Sequence, residues 1–393
     1  MTGLNRWHRG EDSKTRATAA TAVALGSTAA RRYDAAMQMP DDTITAQARA
    51  MPKVLLHEHL DGGLRPATLI ELAQARGVAL PADEPAELVQ WFSQRAHAGS
   101  LPAYLEGFGL TIAAMAGVAA LERVAFEAAE DARLDGCVLA EFRCAPNLWE
   151  ADGVRAEAAI EALLAGLRRS VLPSGLIVCA LRQHPARETE RMAQLALRYR
   201  ADGVVGFDLA GPEAGHPPSD HAAAFALAHA AGLPITCHAG EADEAARVIE
   251  AARLGARRIG HGVRLADAVA GNGGQALLDE ARTRRLHLEV CVTSNLHTGA
   301  AASRAAHPIR ALWDAGIELS FHTDSRLLSG VSATSEAASL VREGRFSFAE
   351  LALMSLRAAQ ASFMPETVRA PAQAAIQAWA QAEAAPSSKP STP

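Results

Sequence analysis

The sequence has few cysteines, and they form no pattern that binds a metal or builds a disulfide framework. Its 393 residues include five cysteines, an odd number, and no CxxC pair occurs. Neither a disulfide-stabilised fold nor a thiolate zinc site is therefore indicated. Cys179, Cys237 and Cys291 lie in apolar runs, so we expect small core residues in a protein of a reducing compartment, the cytoplasm.

Long apolar runs and an excess of basic residues are also missing. No run approaches the roughly 18 residues that cross a bilayer, and residues 1–35 lack a compact apolar segment beside a cleavage site. The 38 basic residues are outnumbered by 44 acidic ones, giving a net charge of -6. We therefore expect neither a membrane nor a nucleic acid as partner, and a small neutral substrate fits better. The sequence does not fix the oligomeric state.

The composition is that of an ordinary globular protein, with 49% hydrophobic and 21% charged residues. Residues 1–45 are rich in Ala, Thr and Arg without sustained periodicity, which predicts a low-complexity, disordered extension. Residues 381–393 are rich in Ser and Pro and predict a disordered tail. A single domain is expected over residues 46–380.

Short apolar runs alternate with longer segments of helical period along this domain, a pattern typical of a parallel sheet with crossover helices. The eight runs are KVLLH, VLAEFRC, LIVCALR, VVGFDLA, PITCH, RIGH, LHLEVCV and IELSFHT. Eight such units favour a closed (β/α)8 barrel, or TIM barrel, over a six-stranded open sheet. Residues 68–135 are too many for one crossover and predict extra helices near the barrel mouth, with residues 91–109 as a candidate substrate lid.

The end of the first run carries two histidines in an HxH pattern, His57 and His59. On an extended chain their side chains point to the same face, so both imidazoles can reach one metal ion, while Glu58 points away. Taken alone, the pattern is equally compatible with two structural histidines, because imidazole is also a common hydrogen-bonding group in protein cores.

Three further run ends carry polar residues of the metal-binding or acid/base type. His238 and Glu241 follow the fifth run, His261 lies between two glycines at the sixth, and Asp324 follows the eighth. Each has a structural explanation of its own, such as a buried histidine or a helix-capping aspartate. The carboxyl ends of barrel strands form the active face of such barrels. Separate structural explanations would all have to apply at this one rim, so the pattern favours a single functional site.

Three histidines and one aspartate with an open position suit a zinc ion. Binuclear barrel metallohydrolases place a metal-bridging lysine at the end of the fourth strand, and this sequence has none there, which favours one metal ion per chain. His322 adjoins Asp324, and we expect it to support the site from behind the ligands. The other histidines, among them His287, His297 and His307, are interpreted as structural or solvent-facing.

The motifs HEHLDG, GFDLAGPE, CHAGEA, RIGHG and HTDS, in this order and spacing, resemble the adenosine deaminase family. The resemblance covers nearly all of residues 52–365 and is greatest to bacterial members of the actinobacterial type. It implies a zinc-dependent deaminase whose ligands are His57, His59, His238 and Asp324, the set also indicated by the strand ends. A purine nucleoside is the implied partner.

The resemblance also implies roles for the remaining site residues. Glu241 is similar to the acid that protonates purine N1, which makes C6 electrophilic, and burial would have to raise its pKa. His261 is similar to the base that orients the attacking water and helps to deprotonate it. The Gly211 backbone N–H and the Asp61 carboxylate match contacts to purine N3 and the ribose 5'-hydroxyl, and His59 borders the substrate as well as the metal.

The sequence departs from the family pattern at two places. The family's second aspartate at the eighth strand, which contacts purine N7, is Ser325 here, so a hydroxyl donor replaces a carboxylate. The segment Thr293-Ser294-Asn295 differs from the usual paired serines, and we expect it to support the site indirectly.

Three functions remain open on this basis. The first is deamination of adenosine and 2'-deoxyadenosine to inosine and 2'-deoxyinosine with release of ammonia. The second keeps the chemistry but changes the substrate to adenine or another adenine nucleoside such as aminodeoxyfutalosine, for which Ser325 leaves room. The third is a non-catalytic purine-binding protein, which would have no need to keep both Glu241 and His261.

Overall fold

The computed structural model describes residues 43–97, 99–270, 274–343 and 345–384, and these form a barrel of eight parallel strands. The strands follow one another around the sheet in chain order, which confirms the predicted (β/α)8 architecture. Each of the eight apolar runs forms one strand. The strands are β1 Lys53–His59, β2 Cys137–Cys144, β3 Ser174–Leu181, β4 Val204–Ala210, β5 Ile235–Ala239, β6 Arg258–His261, β7 His287–Val290 and β8 Glu318–Phe321.

Helices cover the outside of the barrel and begin where local chemistry favours it. Pro66 and Pro85 open two helices in the first turn, where no backbone donor is lost, and Ser347 with Glu350 forms a capping box. The helices are α1 Thr43–Ala50, α2 Pro66–Arg76, α3 Pro85–Ala96, α4 Leu101–Leu105, α5 Phe108–Met115, α6 Val118–Leu134, α7 Ala156–Arg168, α8 Ala186–Arg198, α9 Ala222–Ala230, α10 Ala245–Arg253, α11 Asp267–Ala270, α12 Gln275–Thr283, α13 Val292–His297, α14 Ile309–Asp314, α15 Arg326–Ser329, α16 Ala333–Arg342, α17 Phe348–Ala361 and α18 Glu366–Ala384.

The long first crossover holds five of these helices, α2 to α6, as predicted. Within the described ranges, no single helix is long and apolar enough to span a membrane; residues 101–114 and 118–134 meet that test only as a pair bent by 120°. Residues 1–42 and 385–393 lie outside the described ranges, so the extension and tail remain predictions there. Residues 43–45 and 381–384 belong to α1 and α18.

The barrel closes at a seam between β1 and the segment after β8. The His59 N–H donates to the Asp324 carbonyl at 2.7 Å, and the Asp324 N–H donates to the His57 carbonyl at 3.0 Å. The Leu56 N–H donates to Nδ1 of His322 at 3.2 Å. The backbone alone therefore brings together three of the four predicted metal ligands.

The barrel interior beneath the carboxyl ends of the strands is charged as well as apolar. Arg143 on β2 lies between Asp208 on β4 and Glu289 on β7, with N–O distances of 2.9 and 2.6 Å. Arg258 on β6 contacts Glu289 at 2.6 Å and Glu141 at 2.7 Å. All five side chains are buried. Because a buried charge is costly unless it is paired, these contacts fix the relative positions of the strands that carry the site.

Candidate active site

Three histidines and one aspartate meet at the carboxyl end of the barrel. One ligand atom from each of His57, His59, His238 and Asp324 lies within 4.8 Å of those of the others. Asp324 Oδ1 lies 3.3 Å from His57 Nε2 and 3.5 Å from His59 Nε2, and the Nε2 atoms of His59 and His238 are 3.1 Å apart. These distances gather four donors around one point, as a metal site requires.

The far nitrogens of two of these rings contact buried carboxylates. His57 Nδ1 lies 2.9 Å from Glu289 Oε2, and His238 Nδ1 lies 3.1 Å from Asp208 Oδ1. Metal-binding histidines commonly donate their second N–H to such a carboxylate, which leaves Nε2 with its lone pair free. Arg143 bridges both carboxylates and holds them in place.

His57 provides a direct test of whether these residues fit a cation. Its Nε2 atom is buried and has no hydrogen-bond partner among the described residues, although it faces the other three donors. An unpartnered lone pair in a buried position is costly unless an acceptor of that lone pair, such as a metal ion, is bound. The residues present therefore fit the metal that the strand-end pattern predicts.

The electrostatics of the cluster favour the deprotonated form of three of its four side chains. Burial lowers the pKa of His57 and holds the pKa of His59 well below its usual range. Burial opposes ionisation of Asp324, but the adjacent histidines outweigh it and lower its pKa. For His238, burial is outweighed by Asp208, which raises the pKa. A cation at the cluster would compete with that proton.

Glu241 lies beside the cluster and is held by two donors. Asn295 Nδ2 and Thr298 Oγ1 donate to its Oε1 atom at 3.0 and 2.8 Å, and its Oε2 atom lies 3.5 Å from His261 Nε2. Burial raises the pKa of Glu241. A raised pKa is what a carboxyl group needs to carry a proton near neutral pH.

A chain of hydrogen bonds orients both Glu241 and His261. The Ile309 N–H donates to His307 Nδ1 at 3.1 Å, so His307 Nε2 carries the hydrogen and donates to Asn295 Oδ1 at 3.2 Å. The Asn295 amide group then donates to both Glu241 Oε1 and His261 Nδ1, each at 3.0 Å. Since Nδ1 of a neutral His261 accepts, its Nε2 carries the hydrogen and faces the site.

Two site residues adopt a left-handed backbone conformation, which residues other than glycine rarely adopt. His261 has φ of 63° and Asp324 has φ of 62°. Such strain persists only where surrounding contacts enforce it, and it is concentrated at functional sites. The Ser294 hydroxyl helps at Asp324 by donating to Oδ2 at 2.6 Å.

A cavity of about 180 Å³ lies over the cluster. Leu101, Tyr104, Leu105 and Phe108 form part of its wall, so the predicted lid segment does border the site. Among the described residues that line the cavity, none is Lys or Arg. The wall combines apolar side chains with carboxyl groups and uncharged hydrogen-bonding groups such as Gln183 and Tyr104, which suits an uncharged ring system.

The structure brings most of the predicted site residues to this cavity. The lining includes His59, Asp61, Gly211, His238, Glu241, His261 and Asp324. Gly211 has φ of 97°, a conformation that residues with a Cβ atom rarely adopt, so glycine is strongly favoured there. Ser325 is fully buried and is not among the described lining residues; its side chain faces Gly62 instead.

Several residues of the site were not identified from the sequence. Glu289 and Asp208 contact His57 and His238, Arg143 joins these two carboxylates, and Glu213 accepts the backbone N–H groups of Glu241, Ala242 and Asp243 at 2.8 to 3.1 Å. The expected support from His322 is indirect, because it contacts Leu56 N–H and Ser320 rather than a ligand side chain. The feature of the sequence that could have pointed to Arg143, Asp208 and Glu289 is that each is a charged residue inside an otherwise apolar strand run.

The fold and site together define a class: a hydrolytic barrel enzyme with a His/Asp metal cluster and an acid/base pair at the carboxyl ends of its strands. Residues 52–379 match the adenosine deaminase family model. The adenosine deaminase of Mycobacterium sp. (strain KMS) is 42% identical over 330 residues, covering 80% of this chain and 91% of that protein. The chain belongs to the adenosine deaminase family, a metal-dependent family, and is a deaminase.

Solved structures agree on the fold. The Arabidopsis N6-mAMP deaminase superposes with a TM-score of 0.74 at 25% identity, covering 85% of this chain and 99% of that one. The adenine deaminase of Arthrobacter aurescens superposes with a TM-score of 0.75 at 24% identity, covering 84% of this chain and all of that one (100%). These two proteins share the fold while differing in named substrate, so the fold alone does not select the substrate.

Proposed function

We propose that this enzyme hydrolytically deaminates adenosine and 2'-deoxyadenosine, giving inosine or 2'-deoxyinosine and ammonia. The observation that carries the proposal is the convergence of the His/Asp cluster, Glu241 and His261 on one small cavity. Hydrolytic deamination requires an activated water, a proton donor to the ring and a pocket for the base, and each has a candidate group here.

Zinc is the metal we assign to the cluster. His57, His59, His238 and Asp324 would hold it, because three imidazoles and one carboxylate with an open position are a typical zinc donor set. When bound, zinc lowers the pKa of a water molecule so that a nucleophile is available near neutral pH.

Glu241 is the group we assign to protonate purine N1. Two donors fix its Oε1 atom, which leaves Oε2 on the side of His261 and the cavity. Because burial raises its pKa, the carboxyl group retains a proton at a higher pH than an exposed glutamate does. Transfer of that proton to N1 withdraws electrons from C6 and prepares it for attack by water.

His261 is the group we assign to orient the attacking water. The resemblance implies two roles, orientation and help in removing the proton. The hydrogen-bond chain through Asn295 supports the first, because Nε2 of the neutral ring carries a hydrogen and can donate to an oxygen atom. The left-handed backbone at His261 further restricts the direction of the ring.

The substrate contacts follow from the cavity wall. We assign the Gly211 N–H to purine N3 and the Asp61 carboxylate to the ribose 5'-hydroxyl, since both residues line the cavity. Burial raises the pKa of Asp61 to about 7. The contact of Ser325 with purine N7 stays a prediction, and it would require the buried hydroxyl to become accessible from the cavity.

A second candidate keeps the reaction and changes the substrate to adenine or another adenine nucleoside such as aminodeoxyfutalosine. Ser325 in place of a carboxylate is the observation that favours it. A nucleotide such as the substrate named for the Arabidopsis relative is less compatible, because no described residue of the cavity wall supplies the cation that a phosphate requires. A non-catalytic role would leave the acid/base pair unexplained.

The enzyme is proposed to work in the cytoplasm, where its five buried free cysteines would remain reduced. The substrate is tested by following the ultraviolet spectral change of adenosine, 2'-deoxyadenosine, adenine, aminodeoxyfutalosine and N6-mAMP with zinc-loaded enzyme. We expect adenosine and 2'-deoxyadenosine to have the highest kcat/KM. A higher kcat/KM for any other compound would overturn the adenosine assignment.

A matched pair of variants distinguishes a specific role of Glu241 from a general effect of substitutions in the same loop. Glu241→Gln should abolish turnover of every substrate, whereas Glu244→Gln, three residues along and exposed, should leave kcat/KM within about twofold because surface substitutions have small effects. Loss of activity in both variants would contradict the assignment of Glu241.

A further inference from the structure

A second pocket lies at the opposite end of the barrel. Its volume is about 770 Å³, and it is formed where β6, β7 and β8 begin and where α17 meets α18. Its wall contains six arginines and, among the described residues, one acid, Glu318. The six are Arg257, Arg258, Arg284, Arg285, Arg357 and Arg369. This concentration of positive charge contrasts with the net charge of -6 of the whole chain.

Ion pairs within the protein account for only part of this charge. Arg258, Arg284, Arg285 and Arg369 each contact a carboxylate. Arg257 and Arg357 have no acidic partner within the described part of the chain; Arg257 is exposed, and Arg357 packs over the Trp313 ring at 4.4 Å. Two guanidinium groups at the pocket are therefore available to an anion.

The buried wall also carries donors without acceptors. Arg258 Nη2, Arg369 Nε and His287 Nδ1 are buried atoms that lack a hydrogen-bond partner among the described residues. All three residues line this pocket. Unsatisfied buried donors are rare, and here three of them belong to residues that line one pocket.

The hydrogen-bond pattern shows that His287 Nδ1 is a donor. The Leu56 N–H donates to His322 Nδ1, so His322 Nε2 carries the hydrogen and donates to Ser320 Oγ at 2.7 Å. Ser320 has no other partner among the described residues, and its hydroxyl therefore donates to His287 Nε2, also at 2.7 Å. With Nε2 accepting, Nδ1 of the neutral His287 ring carries the hydrogen.

The neutral state of His287 is consistent with its surroundings. Burial and the charge of Arg258 lower the pKa of His287 to about 3, with Arg357 also contributing, while Glu289 acts in the opposite direction. The ring therefore contributes one N–H without a charge.

We propose that this pocket binds a small phosphate-bearing anion. Phosphate oxygens accept several hydrogen bonds at once, and guanidinium groups match their geometry in a bidentate manner. The unpaired charges of Arg257 and Arg357 suit a ligand with more than one negative charge. The pocket lies at the amino ends of the strands, so its occupant is distinct from the substrate of the cavity over the metal cluster.

Inorganic phosphate or pyrophosphate and the phosphate groups of a nucleotide share this chemistry. Isothermal titration calorimetry with phosphate, pyrophosphate and ATP, at constant ionic strength, distinguishes these sources by their order of affinity. Constant ionic strength is required because screening weakens any exposed charge contact. We expect saturable binding of at least one of the three, with pyrophosphate tighter than phosphate.

The double variant Arg257→Gln/Arg357→Gln should weaken this binding by about tenfold or more, because two charge-assisted contacts are lost. The control Arg187→Gln/Arg198→Gln removes the same charge from exposed positions on α8 that do not line the pocket. Arg257→Gln alone, at an exposed position, is a second variant should the double variant fold poorly, and it should weaken binding in the same direction.

Three results would overturn the proposal. The first is no saturable binding of phosphate, pyrophosphate or ATP by the wild-type enzyme. The second is equal weakening in the pocket variant and the control, which would indicate a general charge effect. The third is binding that disappears on chelation of the metal and is unaffected by the pocket substitutions, which would assign the anion to the active site.

Discussion

His57 Nε2 lies 3.3 Å from Asp324 Oδ1 across the seam that closes the barrel between β1 and β8. The backbone at the same point pairs His59 with Asp324 at 2.7 Å. Closure of the barrel therefore brings together three of the four residues of the cluster, and His238 on β5 completes it. A metal ion bound there would hold the first and last strands together and stabilise the folded state relative to the unfolded chain.

Replacement of Asp324 tests this coupling. Asp324→Ala should lower the affinity for zinc by more than about a hundredfold, since even partners outside the ligand set commonly contribute ten- to hundredfold. Zinc content after dialysis against a buffered metal solution, together with the melting temperature, provides the measurement. Asp220→Ala, at an exposed position, should retain metal and melting temperature. Full zinc content in the Asp324 variant would contradict the assignment.

The sequence predicted the architecture and the ligand set because both depend on local patterns. Eight apolar runs of strand length indicated the barrel. An HxH motif at a strand end places two imidazoles on one face because side chains alternate along a strand, independently of distant parts of the sequence. Glu241 and His261 were found in the same way, since His261 ends a strand run, Glu241 closely follows one, and the carboxyl ends of the strands share one rim.

The supporting residues could not be predicted because their roles depend on contacts between distant strands. Arg143 joins Asp208 to Glu289, residues that are 65 and 146 positions away from it. Asn295 was expected to help indirectly, but its simultaneous contact with Glu241 and His261, and the part played by His307, require the folded structure. Likewise, nothing local shows that Ser325 is buried away from the cavity wall.

Asn295 should be important for turnover although it is assigned no chemical step. Asn295→Ala removes the donor to both Glu241 and His261, so kcat should fall about ten- to hundredfold while KM changes less. Asn295→Asp keeps the size and the acceptor for His307 but removes the amide donors, and it should be impaired to a similar degree. Steady-state kinetics provide the comparison. A kcat in Asn295→Asp equal to that of the wild type would show that the donors are unnecessary.

The buried ionic group beneath the site should be essential for stability. Glu289→Ala leaves the guanidinium groups of Arg143 and Arg258 without their shared partner, which should lower the free energy of unfolding by about 3–5 kcal/mol. Urea denaturation measures this change. Glu122→Ala breaks an exposed pair with Arg169 and should cost at most about 1 kcal/mol. Equal losses in the two variants would contradict the role of the buried group.

The pH dependence of activity should report the raised pKa of Glu241. A proton donor acts in its protonated form, so kcat/KM should fall as the pH rises through that pKa. Burial is the main cause of the raised pKa, and the charge of Glu213 adds to it. Glu213→Gln should therefore move the alkaline limb of the profile to lower pH, and Glu244→Gln should not. A shift of the limb to higher pH in the Glu213 variant would refute this assignment.

Isotope incorporation tests the central claim most directly. Zinc-loaded enzyme is incubated with adenosine in water enriched in ¹⁸O, and the product is analysed by mass spectrometry while ammonia is quantified, with Glu241→Gln in parallel. Hydrolytic deamination predicts one solvent oxygen at C6 of inosine for each ammonia released by the wild type, and neither product with the variant. Release of ammonia without the isotope, no reaction of adenosine, or full activity of the variant would contradict the account.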